Sequence, residues 1–90
     1  MAEEDPFKKL LEQLELETWP SVYLFKFIVP NDKETMARVM SLFESQNEMA
    51  FHDSSKGNYT SITVKELMLS AESVIEIYRK SAEIKGVITL

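Results

Sequence analysis

Hydrophobic positions recur along the chain with two different periods, and the switches between them divide it into helices and strands. In "EDPFKKLLEQLEL", Phe7, Leu10, Leu11 and Leu14 stand at i, i+3, i+4 and i+7, the single apolar stripe of a surface helix. Asp5 sits at the N-cap and Pro6 at the first helical position, where a missing N–H costs nothing. Pro20 in "ETWP" ends the helix, because the residue before a proline is pushed out of helical space, and Trp19 is placed to anchor the turn. The period then changes. In "SVYLFKFIV", alternation puts Tyr23, Phe25, Phe27 and Val29 on one face and Val22, Leu24, Lys26 and Ile28 on the other. A strand apolar on both faces belongs in the middle of a sheet, with its aromatic face toward the core and its lone charge on the shallower side.

"PNDKETMARVMSLFE" returns to the helical period, with Asn31 and Glu34 at capping-box spacing ahead of Met36, Val39, Met40 and Phe43. "EMAFHD" is a short strand that turns Met49 and Phe51 inward and Ala50 and His52 outward. After a turn at Lys56-Gly57, where glycine takes positive φ without steric cost, Ile62 and Val64 face the core while Tyr59, Ser61, Thr63 and Lys65 face out. "SAESVIEIYRKSAEI" forms a further helix capped by Ser70, with Ala71, Val74, Ile75, Tyr78 and Ala82 on its buried stripe. Gly86 ends that excursion and "VITL" supplies a last strand.

The order is one helix followed by βαββαβ. Right-handed crossovers then lead to an α+β, ferredoxin-like sandwich: a four-stranded antiparallel sheet with both crossover helices on one face and an extra N-terminal helix. Residues 1–20 are the amphipathic helix and linker, and residues 21–90 the sandwich domain. Leu24, Lys26, Ile28, His52, Tyr59, Ser61 and Lys65 collect on the open sheet face, and the N-terminal helix or another subunit is expected to use it.

A chain of 90 residues, 44% hydrophobic and 28% charged, suits one soluble globular domain. Fifteen acidic against ten basic side chains give a net charge of −5, which disfavours nucleic acid as a partner. The acidic start and the lack of a long apolar run predict neither a secretory leader nor a membrane contact, so a cytoplasmic protein is expected. With no cysteine there is no disulfide, thiolate nucleophile or thiolate metal site.

Candidate chemistry is thin. His52 is the single histidine, so no histidine pair can hold a metal, and a surface or helix-contact role is expected of it. Ser54, Ser55 and Ser61 form no triad with it beyond proximity in sequence. Backbone N–H groups around Lys56-Gly57 would suit an anion nest, but the segment runs into a strand rather than a helix and reads first as a hairpin turn. Lys26 and Lys65 make either a small basic spot or a pair of solvated strand lysines. No catalytic residue, metal ligand or cofactor is assigned. The candidate ligand- or partner-binding residues are Lys26, His52, Ser54, Ser55, Lys56, Gly57, Tyr59, Ser61 and Lys65.

"DSSKGNYTSITV", with Ser54, Ser55, Gly57, Tyr59 and Ser61 at matching places, resembles the central motif of the YbeD-like family of small uncharacterised bacterial proteins, and the C-terminal "GVITL" agrees. The resemblance covers Ser21 to Leu90 and implies a ferredoxin-like fold akin to the regulatory ACT domains, which bind amino acids between paired sheets. The ACT loop after the first strand bears glycine, whereas here "VPNDKE" has proline and no glycine, which limits close backbone approach to a ligand. The leading expectation is a non-catalytic regulatory or interaction module that recognises a protein or small metabolite with its open face, as a possible homodimer. An ACT-like metabolite sensor is the alternative. An acylphosphatase-like enzyme ranks lower, because such hydrolysis needs an arginine in the first loop and the chain has only Arg38 and Arg79, both in predicted helices. RNA binding by exposed rings, as in RRM domains, has Tyr59 alone in its favour.

Overall fold

A computed structural model describes residues 5–44 and 48–90, so residues 1–4 of the predicted N-terminal segment lie outside the described part. The elements are α1 (Lys8–Leu14), β1 (Ser21–Pro30), α2 (Lys33–Met40), β2 (Met49–Asp53), β3 (Tyr59–Met68), α3 (Ala71–Ala82) and β4 (Ile88–Thr89). The sheet order is β2-β3-β1-β4, and every pairing is antiparallel. This is the arrangement expected of a ferredoxin-like α+β sandwich.

β1 is central, as its two-sided apolar pattern requires, and pairs with β3 along its whole length. Phe25, Phe27 and Val29 are fully buried beneath the helices with Ile62 and Val64 of β3, Val39 of α2 and Val74 of α3. Each such side chain contributes about 1.5–3 kcal/mol through burial. Aromatic edges tie the layers together, with Phe25 5.2 Å from Phe43 and 5.5 Å from Tyr78 between ring centres. Tyr23 and Tyr78 join their hydroxyls at 2.9 Å.

Several local expectations are revised. Asp32, not Asn31, caps α2: Asp32 has extended backbone, and its Oδ2 accepts from the Thr35 N–H at 3.2 Å. Asn31 instead donates its Nδ2–H to Gly57 O at 2.9 Å, pinning the β2–β3 hairpin. Helix α1 begins two residues later than predicted, because Asp5 Oδ1 accepts from Phe7 N and closes a turn ahead of it. Phe51 lies on the helix side but is 46% exposed, since β2 is an edge strand. On α3 the last buried position is Ser81 rather than Ala82; Ser81 lies next to β4, with its Oγ 3.4 Å from Thr89 Oγ1.

The largest revision concerns α1. It does not lie on the open sheet face but docks on α3, extending the helix layer. Phe7 stacks on Tyr78 with ring centres 6.3 Å apart, the Arg79 guanidinium lies 5.6 Å from the Phe7 ring centre, and Asp5 pairs with Arg79. Leu14 is buried in the main core, and Trp19 Nε1 donates to Leu14 O at 2.8 Å, which is the anchoring expected of that tryptophan. No described helix is long and apolar enough to cross a membrane.

Candidate functional site

Alternation along β1 and β3 leaves the second sheet face free of any described helix. The register arranges that face in rows: Leu67 opposite Val22, Lys65 opposite Leu24, Thr63 opposite Lys26, and Ser61 opposite Ile28. His52 extends the Ser61 row on one side and Ile88 extends it on the other. Val22 is 65% exposed, Leu24 53%, Leu67 59% and Ile88 53%, so the face is apolar for much of its length. Lys26 and Lys65 are diagonal neighbours on adjacent strands, a basic centre within an otherwise acidic chain.

Of the predicted residues, Lys26, His52, Tyr59, Ser61 and Lys65 lie on this face, none of them under the crossover helices. His52, Ser54, Tyr59 and Ser61 meet with Ile28 around one shallow hollow of about 270 Å³. Lys26 and Lys65 stand outside it, and Ser55, Lys56 and Gly57 are exposed at the hairpin tip.

The hairpin uses its polar groups internally. Gly57 N donates to Ser54 O at 2.9 Å, Ser54 N to Tyr59 O at 2.8 Å, and Tyr59 N to Ser54 Oγ at 3.2 Å. Gly57 has φ of 73°, the left-handed conformation such a turn requires. Asn31 holds the loop from outside through Gly57 O, and its N–H donates to Asn58 O at 3.0 Å. Thr60 Oγ1 donates to Asp53 Oδ1 at 2.7 Å where the strands meet. With three loop N–H groups turned to internal acceptors, the segment fixes register and positions Tyr59. Among the described residues, no group of three or more histidines and carboxylates is placed to hold a metal ion.

The face also includes residues that the pattern reading passed over. Leu67 continues the outward set of β3 two residues beyond Lys65. Ile88 joins through pairing with Ile28, a contact between residues 60 positions apart that no local pattern reveals.

A family model described as "Protein of unknown function (DUF493)" matches residues 15–90. The chain belongs to this family. The YbeD-like proteins that its hairpin resembles are DUF493 members. The matched DUF493 region holds β1 to β4 and therefore the whole open face, whereas α1 ends one residue before it. No curated protein and no solved structure matches the chain.

Proposed function

We propose that this DUF493 chain is a non-catalytic regulatory or interaction module that recognises a protein partner through its open sheet face. The observation that carries the reading is the position of α1. Among the described residues, the amphipathic helix outside the crossover pair is committed to α3, and Val22, Leu24, Leu67 and Ile88 remain exposed around Lys26 and Lys65. The arginines are engaged on the helix side, Arg38 with Glu34 at 3.0 Å and Arg79 with Asp5, away from the first loop where an acyl-phosphate hydrolase needs one.

The test is affinity capture with tagged wild type, Leu24→Asp and Lys65→Glu on the face, and Lys33→Glu on α2 as control. A partner retained by the control and lost from both face variants supports the reading. Capture that the face variants leave unchanged refutes it. The hollow beside Tyr59 favours a second reading, an ACT-like metabolite sensor. A small molecule carried by wild type and lost on Tyr59→Ala, with no protein partner, would put that reading first.

A further inference from the structure

β1 is 10 residues long and pairs with β3 throughout, whereas β4 pairs with it only at Phe27 and Ile28. Two hydrogen bonds set the direction of its backbone groups. Leu90 N donates to Lys26 O at 2.9 Å, so the even-numbered residues of β1 turn toward β4. Asn31 N donates to Asn58 O at 3.0 Å, so the odd-numbered ones turn toward β3. In an antiparallel ladder the N–H and C=O of one residue point to the same side. Those of Val22 and Leu24 therefore project from the sheet edge beyond the reach of β4, where no strand meets them among the described residues.

Two further observations bear on this edge. A hollow of about 300 Å³ lies beside it, lined by the apolar Leu10, Leu14, Trp19, Val22 and Tyr23 together with the polar Gln13, Glu17 and Ser21. The edge segment Ser21-Val22-Tyr23-Leu24-Phe25 itself carries no lysine, proline or charge, the blunting residues Pro20 and Lys26 standing only at its two ends. A strand laid there would send alternate side chains into the hollow on the helix side and down beside Val22 and Leu24 on the open face.

We propose that the Val22–Leu24 edge of β1 is a β-augmentation site for an extended peptide segment of a partner protein, apolar at the residue that enters the hollow beside α1. Backbone hydrogen bonds supply the affinity and the hollow selects the side chain. Edge-to-edge pairing of two copies about a two-fold axis is the competing occupant, and the oligomeric state separates it from a peptide segment. The site is distinct from the open-face contact, although Val22 and Leu24 belong to both.

The test uses the full chain. Amide exchange followed by NMR should alternate along the N-terminal half of β1, fast at Val22 and Leu24 and slow at Tyr23 and Phe25. Peptides selected from a displayed random library should then slow exchange at Val22 and Leu24 about tenfold or more, with the chain remaining monomeric. Gln13→Trp, which fills the hollow from an exposed position, should weaken those peptides about tenfold without lowering the melting temperature. Lys65→Glu should leave them bound while abolishing open-face capture, which separates the two readings. Protection of Val22 and Leu24 in the free chain, selected peptides that leave their exchange unchanged, failure to select any peptide, or pairing of two copies through this edge would each overturn the proposal.

Discussion

Replacing Leu14 with alanine tests whether α1 is part of the fold. Leu14 is only 7% exposed and joins the main core, although it lies at the end of a seven-residue helix. A helix that short has no stability of its own, since isolated helices below about 12–15 residues are marginal in water. Its order must therefore come from docking, through Leu14, the Phe7–Tyr78 stack and the Trp19 bond to Leu14 O. Leu→Ala in a core costs about 2–5 kcal/mol. The hollow beside Leu14 lets solvent enter the vacated space, which puts this site near the low end, at about 2–3 kcal/mol. For a domain of this size that lowers the melting temperature by about 10–20 °C. Urea unfolding followed by circular dichroism measures the loss, and Trp19, the single tryptophan, reports the same event by fluorescence. Leu16→Ala is the control, because Leu16 is 85% exposed and should change stability by less than about 0.5 kcal/mol. A Leu14→Ala loss no larger than that of the control would mean that α1 is a dispensable appendage and that its docking on α3 is wrong.

Burial first, and then the Tyr23 hydroxyl, raise the Tyr78 pKa above the ordinary 10.0, so the fold favours its neutral form. That stabilisation is complete below about pH 10 and is lost as pH rises through the folded value. Stability measured across alkaline pH should fall for wild type and fall less for Tyr78→Phe; identical profiles would refute the coupling. At Gly86, φ of 88° combines with a space in which an added Cβ would lie 3.0 Å from Pro30 Cγ, whereas Gly57 has φ of 73° and nothing within 4 Å. Gly57→Ala should therefore cost about 1–2 kcal/mol from backbone strain alone and Gly86→Ala more, with denaturant midpoints deciding the order. Leu24→Asp, at a half-exposed position opposite Lys65, should change stability by less than about 1 kcal/mol. A loss above about 2 kcal/mol in the purified chain would show that Leu24 is covered by something other than solvent.

The parts of the fold that pattern reading recovered are those where one local period coincides with burial. β1 is the clearest, because alternation separates fully buried Phe25, Phe27 and Val29 from exposed Leu24 and Lys26. Ser70 was readable as a cap because it and Ser73 bond reciprocally in a single turn. Capping-box spacing to Glu34 points to Asn31, but Asn31 is drawn off by a bond to Gly57, 26 residues away, and Asp32 caps α2 through Thr35. The resting place of α1 was hidden for a similar reason. An apolar stripe states that a helix must cover something, while the partner was set by Tyr78 and Arg79, more than 70 residues from Phe7 and Asp5. Lys26, His52, Ser61 and Lys65 could be assigned to one face from parity alone, yet Leu67 and Ile88 needed the strand ends and the β1–β4 register.

In the proposed reading, position and rigidity together fit the open face for recognition. Leu24 and Lys26 alternate with Phe25 and Phe27, which are fully buried, so their backbone is held by the densest part of the core. Tyr59 enters β3 from a hairpin fastened by Asn31, by the internal bonds of Ser54 and by the Thr60–Asp53 bond. A partner meeting these side chains therefore finds their backbone already ordered, and less of the ordering cost that weakens association falls on binding. The same rigidity limits what the face can become. The fold alone assigns no function, and here the described N-terminal helix is held on the opposite layer by Leu14, Phe7 and Asp5. Releasing α1 would therefore expose core at Tyr78 rather than bring the helix to the face, and no other described helix is placed to cover it.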